Sequence, residues 1–529
     1  MKFVVAKSPL HETGLINKLV RDYLREDAFF ADLQGHLPVR NNTGDWINAR
    51  ANFPSERRRL LKKTLESQYQ RIGLYSDAIA AQIQQIELPN TFTVCTGQQV
   101  GILLGPLYTT LKILSTISLC AELKKQHPDK NFIPLFWMAS EDHDIEEIRA
   151  VYFGGNRYVW NTDQTGPAGR LKPSGISALV ESIPELKHHA NGLDLLKKAY
   201  ALPTLADATQ YLCSELFGSM GLLALNPDEP ELKASFASIA LNDIVDQNSF
   251  RESRKAIAHL EQRYKIQLNG RPVNFFYQTD TSRERIEPSE IGFSTEHGTF
   301  HWSRAELQQE IHQNPAAFSP NAMMRPLYQE FILPNLAYFG GAAELSYWLE
   351  LKPVFDFYNV PFPAVLLRNS AFVLDVVNLH RCRNAGFEPL DLIRPLLELE
   401  KELVLRENPN ELDLSEERAF FEKIKQTLLV KASFLGSGMP QAAEAFSARM
   451  LKEVDALQGK MLREARRNES DGLRQLRLAR EVIFPGGSFQ ERKECLFGFL
   501  AQTPNQPFLA ALSSMLQPFG NALVEIQID

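Results

Sequence analysis

Residues 91–138 read TFTVCTGQQVGILLGPLYTTLKILSTISLCAELKKQHPDKNFIPLFWM. Thr91–Cys95 is rich in β-branched and aromatic residues, as a short buried strand requires. Thr96–Gly105 reads as a loop, and Pro106 stands where the first helical residue would be. Leu111, Leu114 and Leu119 carry that helix to about Lys125. Phe132–Met138 is a continuous apolar run, which fits a strand covered on both faces. Strand, helix, strand in that order is a βαβ unit, and it commits the chain to a parallel sheet and an α/β fold.

The same pattern returns far downstream. Phe331–Phe339 reads as a strand ending in Gly340-Gly341, with a helix over Ala342–Leu351. Val365–Leu367 and Phe372–Asp375 read as strand. The sheet is therefore assembled from distant segments with insertions between them. Upstream, Glu56–Ile86 reads as a long helix whose cluster Arg57, Arg58, Arg59, Lys62, Lys63 is a solvated face. Between the two halves, Pro184–Ala201, Leu205–Gly218 and Ile239–Tyr264 read as helices, and Gln267–Thr279 as a hairpin around Asn269-Gly270.

From Asp391 to Ile483 the pattern is nearly all helical. Ala443, Phe446, Met450, Val454, Leu457, Met461 and Ala465 form one apolar stripe. With a helix over Ser415–Val430 and a break at Gly436–Pro440, this predicts an antiparallel helical arm. Its second helix, Gln441–Ile483, would span on the order of 60 Å at about 1.5 Å per residue. A stripe of that length predicts a homodimer through the arm; the alternative is an arm folded onto its own body. The expected divisions are 1–150 (N-terminal helices and first part of the core), 151–325 (inserted connecting segments), 326–390 (second part of the core), 391–484 (arm) and 485–529 (a segment packed on the core).

Composition narrows the function classes. The chain has 529 residues, 44% hydrophobic and 23% charged, which is room for about three domains at roughly 150 residues each. A net charge of -7 argues against wholesale binding of nucleic acid. The five cysteines, Cys95, Cys120, Cys213, Cys382 and Cys495, are scattered and never spaced as CxxC, so a reducing compartment is expected and a cysteine-based zinc site is not. No signal peptide and no membrane span is read, and the expected location is the cytoplasm.

Four constellations could carry chemistry. In Thr96–Lys112, Gly97, Gly101 and Gly105 let the backbone approach a ligand, with Gln98, Gln99, Tyr108 and Lys112 beside it. The alternative is a tight structural turn; the loop is neither Walker A nor GxGxxG. Ser140–Asp144, SEDHD, follows a strand, where α/β sheets bind ligands. Glu141, Asp142, His143 and Asp144 suit acid/base work or the binding of an ammonium, or else cap a helix; no metal is expected. At the third, Gly340, Gly341, Glu344 and Tyr347 are joined by Arg368 and Ser370, and Arg368 could hold a carboxylate or phosphate. At the fourth, Phe484, Pro485, Gly486 and Gly487 with Arg492 read first as a helix cap and second as a phosphate site.

TGQQVGILLGPLYTTLKI, FWMASEDHDIEEI, LPNLAYFGGAAELSYWLELKP, LLRNSAF and FPGGSFQER together resemble the family of bacillithiol biosynthesis enzymes that add cysteine (the BshC family). The resemblance covers essentially the whole chain. It implies a Rossmann-type core like that of class I aminoacyl-tRNA synthetases, with inserted connecting peptides and a dimerising coiled coil. It implies a ligase joining the carboxyl of L-cysteine to the amine of glucosaminyl malate, with ATP as the natural activator. The Gly/Gln turn stands where the synthetase HIGH motif would, and neither HIGH nor KMSKS is present. By position, His143 is then the acid/base or transition-state-stabilising residue, with Asp142 and Asp144 orienting it or binding the amine. Gln98, Gln99 and the backbone of Gly101 and Gly105 hold the carboxylate or phosphate end, and a second nucleotide site (ATP or ADP) would touch Phe484–Gly487 and Arg492. Rival readings are another ATP-dependent ligase or nucleotidyltransferase on this core, and a scaffold whose arm is its function.

Overall fold

A computed structural model describes residues 5–34, 43–268, 270–290, 292–467, 470–503 and 505–528. The chain divides into two compact units. The larger comprises Lys7–Phe372 and Ser488–Val524; the smaller is Val373–Gly487 with short terminal pieces.

The larger unit is built on a five-stranded, all-parallel sheet. Its strands are β1 (Thr91–Gln99), β2 (Asn131–Ala139), β3 (Leu223–Leu225), β4 (Asn335–Gly340) and β5 (Ala364–Leu367), in the spatial order β5-β4-β1-β2-β3. β1 and β2 pair in unbroken register from Thr91–Asn131 to Gln99–Ala139. Helix α1 (Leu107–Gln126) crosses between them and buries most of its length, as a crossover on a parallel sheet must. On one face Phe92, Val94, Leu336, Phe339, Ala364 and Leu366 meet Leu119 and Leu123 of α1 and Trp46.

Several local expectations give way to packing. β1 runs on through Thr96-Gly97-Gln98-Gln99, because β2 continues beside it and satisfies those backbone groups. Pro106 is the N-cap residue of α1 rather than its first turn, with ψ 157°. The long upstream helix is two, Ser55–Arg71 and Asp77–Gln84, separated where Gly73 takes φ +73°. Ile239–Tyr264 resolves into Pro230–Asp246 and Asn248–Leu260, with Gln247 left-handed at φ +54° between them. Pro184–Ala201 is a 3₁₀ turn followed by Ala190–Tyr200. The strand placed at Phe331–Phe339 begins at Asn335, because Arg325–Ile332 is helical. Asn269 lies outside the described residues. Phe275–Gln278, placed in its hairpin, pairs instead with Arg283–Ser289 and Phe318–Pro320, in a second, antiparallel five-stranded sheet.

In the smaller unit α3 (Ser415–Ser433) and α4 (Met439–Arg467) form the expected antiparallel hairpin, and Arg418 on α3 bonds Gln458 and Asp455 on α4. Label α2 is given to Ala342–Trp348 of the larger unit. The long second helix does not run through to Ile483. Ser470 caps a new helix, α5 (Asp471–Ile483), by accepting from the Leu473 amide at 3.1 Å; Asn468 and Glu469 lie outside the described residues. α4 alone is about 44 Å long at about 1.5 Å per residue. Of its stripe, Val454 is buried, while Phe446 and Leu457 stay about half exposed.

Arg58 corrects the reading of its basic cluster. It is 2% exposed, and its guanidinium donates to the carbonyls of Ile86, Thr91 and Pro89, which pins the entry to β1. Arg57 stacks on the Phe331 ring at 3.4 Å, and Lys62 and Lys63 pair with Glu87 and Glu231. Replacing Arg58 by Met should cost about 3 kcal/mol, because buried carbonyls lose their donors. Urea unfolding followed by tryptophan fluorescence reads this as a lower midpoint; an unchanged midpoint would show that the contacts contribute nothing net.

Candidate active site

The carboxyl ends of β1, β2 and β4 open into a cleft of about 860 Å³. Its floor is organised by Lys112, the second-turn lysine of α1, which is 2% exposed. The ammonium donates to Gly97 O and Gln98 Oε1, both at 2.9 Å, and forms an ion pair with Glu344 of α2. Burial pushes the Lys112 ammonium below its ordinary value, and Glu344 opposes that shift. Burial would raise the Glu344 carboxyl, but Lys112, the Gly341 amide at 2.9 Å and the Tyr338 hydroxyl at 2.7 Å hold it below the usual carboxylate range. Gly97 sits in a tight place: a Cβ there would lie 3.3 Å from Tyr338 Oη and 3.4 Å from Trp137 O, so a side chain would press on Tyr338. Tyr108 receives a bond from Gln98 Nε2 at 3.1 Å.

The SEDHD turn forms the opposite wall. Gln99 Nε2 donates to both Asp142 Oδ2 and Glu147 Oε2 at 2.7 Å, which holds two carboxylates together with a neutral amide. Asp142 Oδ1 accepts from the His143 and Asp144 backbone amides, so Asp142 shapes the turn rather than gripping the ring. The His143 ring is held instead by Arg283, whose Nη1 lies 3.1 Å from Nδ1. A guanidinium can only donate, so Nδ1 accepts and the proton of the neutral ring sits on Nε2. Burial and Arg283 both push the His143 pKa down, against the pull of Asp142 and Asp144. The ring is therefore set as a neutral donor through Nε2.

The expected residues divide in three. Gly97, Gln98, Gln99, Tyr108, Lys112, Glu141, Asp142, His143, Gly341, Glu344, Tyr347, Arg368 and Arg492 all line the cleft. Besides the Lys112–Glu344 pair, two of the charged ones are held by buried ionic partners. Glu141 pairs with buried Lys233 at 2.6 Å, in a network with Asp228 and Arg170. Arg368 pairs with buried Glu491 at 2.7 Å, and Ser370 bonds the same carboxylate. Gly340, Asp144 and Ser370 do not line the cleft, and Gly101 and Gly105 line a neighbouring chamber instead. Gly340 O takes the Arg368 amide, and Asp144 caps the short helix Ile145–Ile148. In the smaller unit, the Phe484–Gly487 turn closes α5: the Phe484 amide donates to Arg480 O, and the Gly486 amide to Glu481.

Sequence reasoning passed over Arg283, Phe276 and Arg325. Arg283 stacks on Phe276 at 3.9 Å and donates to Ser319 Oγ and Pro320 O. Arg325 donates to Gln329 and to the Tyr347 hydroxyl. Among the described residues neither forms an ion pair with a carboxylate, although both are largely buried. Arg283 lies in an alternating strand and Arg325 precedes a proline, and neither setting marks a ligand site in sequence.

Comparison with known proteins agrees with this architecture. Residues 4–369 match the family described as bacillithiol biosynthesis BshC, N-terminal Rossmann-like domain. Residues 373–523 match the corresponding C-terminal coiled-coil domain. A protein of Flavobacterium johnsoniae named "Putative cysteine ligase BshC" is 34% identical over 93% of this chain and 94% of its own. Proteins of the same name from Cytophaga hutchinsonii and Bacillus cereus are 33% and 27% identical, over 94% and 79% of this chain and 94% and 81% of their own.

The Arg283–His143 contact makes a direct prediction. Arg283→Met removes the cation that disfavours imidazolium, so the His143 pKa should rise. An NMR titration of the imidazole should show it protonating at higher pH in the variant; an unmoved titration would mean that the contact does not set the ring's state.

Proposed function

The chain belongs to the bacillithiol biosynthesis BshC family, and we propose that its cleft joins the carboxyl group of L-cysteine to the amine of glucosaminyl malate. The observation that carries this reading is that the cleft offers groups for both charges. Arg283 and Arg325 line it without an ion pair to a carboxylate among the described residues, and Asp142 and Glu147 line it as well, gathered by Gln99. Partly buried guanidiniums without a paired carboxylate favour an anionic ligand, and a malyl group supplies two carboxylates. The acidic pair suits the ammonium of the amino sugar, whose proton must leave before nitrogen can attack.

A free carboxylate does not acylate an amine. Cysteine must first carry a leaving group on its carboxyl oxygen, and ATP is the activator this reading supplies. The ammonium first gives one proton to the Asp142–Glu147 carboxylates; the neutral amine nitrogen then forms the C–N bond, the C–O bond to the leaving group breaks, and the nitrogen's second proton departs to the leaving group or to solvent. His143, as an Nε2–H donor, supports the oxyanion that develops on the carbonyl oxygen. Lys112 and Glu344 keep Gln98 and Gly341 in place rather than reacting.

Incubation of the enzyme with cysteine, glucosaminyl malate and ATP should yield bacillithiol by mass spectrometry. No ligated thiol under any condition would sink the reading. His143→Ala should lower kcat by about 10²–10³, the cost of one oxyanion donor, and full retention of activity would remove its role. Arg325→Met should raise KM for glucosaminyl malate by on the order of tenfold or more, with a smaller effect on kcat.

We also propose that the arm pairs with a second copy of the chain. Phe420 and Ile424 on α3 and Phe446 and Leu457 on α4 are half exposed or more, an apolar surface larger than a solvated hairpin needs. Phe420→Glu with Phe446→Glu should convert a dimer to a monomer in sedimentation equilibrium; a wild-type monomer at all concentrations would refute this.

A further inference from the structure

Beside the main cleft lies a second chamber of about 320 Å³. Gln98, Gln99, Tyr108, Glu147 and Arg492 line both, so the two are continuous through the Gly/Gln strand end. The chamber sits over the start of α1, a twenty-residue helix whose N-terminal dipole favours negative charge. Three cations line it: Arg157, Arg492 and Lys493. Among the described residues none of the three forms an ion pair with a carboxylate. Lys493 lies over the Tyr152 ring at 5.3 Å. The carboxylates lining the chamber are already engaged, Glu146 by Arg149 and Glu147 by Gln99.

A separate observation comes from Thr109, in the first turn of α1. It is 1% exposed, and its hydroxyl has no hydrogen-bond partner among the described residues. Buried hydroxyls are normally satisfied. This one faces the gap left by Gly105: a Cβ built there would meet Thr109 Oγ1 at 3.9 Å and nothing else. An anion seated at the helix start would accept from the hydroxyl and lie among the three cations.

We infer that this chamber is an anion subsite that takes a phosphate chain, placing the phosphates of an activating co-substrate next to the carboxyl group being activated. The assignment rests on the ligase reading for its purpose; Arg157, Lys493 and Thr109 line this chamber and not the main cleft, while Gln98, Gln99, Tyr108, Glu147 and Arg492 line both. The positive φ of Leu103, Leu104 and Gly105 turns the chain sharply before α1, whose first amide, that of Leu107, donates to Glu494 O at 2.8 Å, so that recognition falls to the side chains lining the chamber.

The test uses the full chain and inorganic tripolyphosphate as the probe, with affinity measured by calorimetry. Arg157→Ala and Lys493→Ala each should weaken binding about tenfold, and Thr109→Val should weaken it while leaving the unliganded protein at least as stable. Malate, as a probe of the Arg283–Arg325 side, should bind all three variants as it binds wild type. ATP displacing tripolyphosphate identifies a nucleotide as the source of the phosphates. Equal affinity for ATP and tripolyphosphate shows a site that reads the phosphate chain alone; both results support the subsite. No binding of tripolyphosphate at millimolar concentration, or binding unchanged by the three substitutions in proteins with wild-type melting curves, overturns it. Arg157-dependent binding in a protein that ligates nothing would sink the ligase reading and leave the subsite standing.

Discussion

The candidate site depends on one buried cation. Lys112 reaches from α1 to the end of β1 and to α2 at the end of β4, and so ties three segments together across more than two hundred residues of sequence. Burying an ammonium is costly unless it is paired and its protons are used. Here one carbonyl, one amide oxygen and one carboxylate use them. The carboxylate in turn takes the Gly341 amide and the Tyr338 hydroxyl. Gln98 is thereby fixed in its orientation, and its other end holds Tyr108. The cleft floor is thus a closed hydrogen-bonded set, which leaves recognition to the residues around it.

Those surrounding residues differ in kind. A neutral amide holds Asp142 close to Glu147. Arg283 rests on an aromatic ring and neutral oxygens, and Arg325 on an amide and a tyrosine hydroxyl. Stacking on Phe276 orients Arg283 without neutralising it, so its charge acts on His143 and on the cleft. Burial, and after it an arginine on the antiparallel sheet, push the histidine's pKa down against the pull of the acids next to it in sequence.

The parallel core and the helical hairpin were legible because apolar runs and periodicity report burial directly. That TGQQ and SEDHD border a cleft was legible because both stand at the carboxyl ends of strands, where α/β sheets open into crevices. Other features depend on the tertiary environment alone. TGQQ reads as loop because glycine and glutamine have low strand propensity, yet pairing with β2 carries it as strand. Arg58 looks solvated among its basic neighbours, yet three carbonyls at the entry to β1 draw it inside. Arg283 sits in a segment whose partners are not its neighbours in sequence, so nothing local distinguishes it from any strand arginine. Glu141 and Arg368 illustrate the converse: both are charged, well placed and on the cleft, but each is also held by a buried partner that no spacing rule reveals.

The strand order β5-β4-β1-β2-β3 sets a timetable for synthesis. β1 and β2 leave the ribosome early and can pair at once through α1. The outer edge of β1 then waits for β4, which begins at Asn335. At about 5–20 residues per second that interval is on the order of tens of seconds. Throughout it, an apolar strand edge that belongs at the centre of the finished sheet is a free template for other chains. The long insertion that brings Arg283 and Phe276 to the cleft therefore also delays closure of the sheet, and the nascent chain is most exposed to misassembly while it is acquiring these cleft-lining residues.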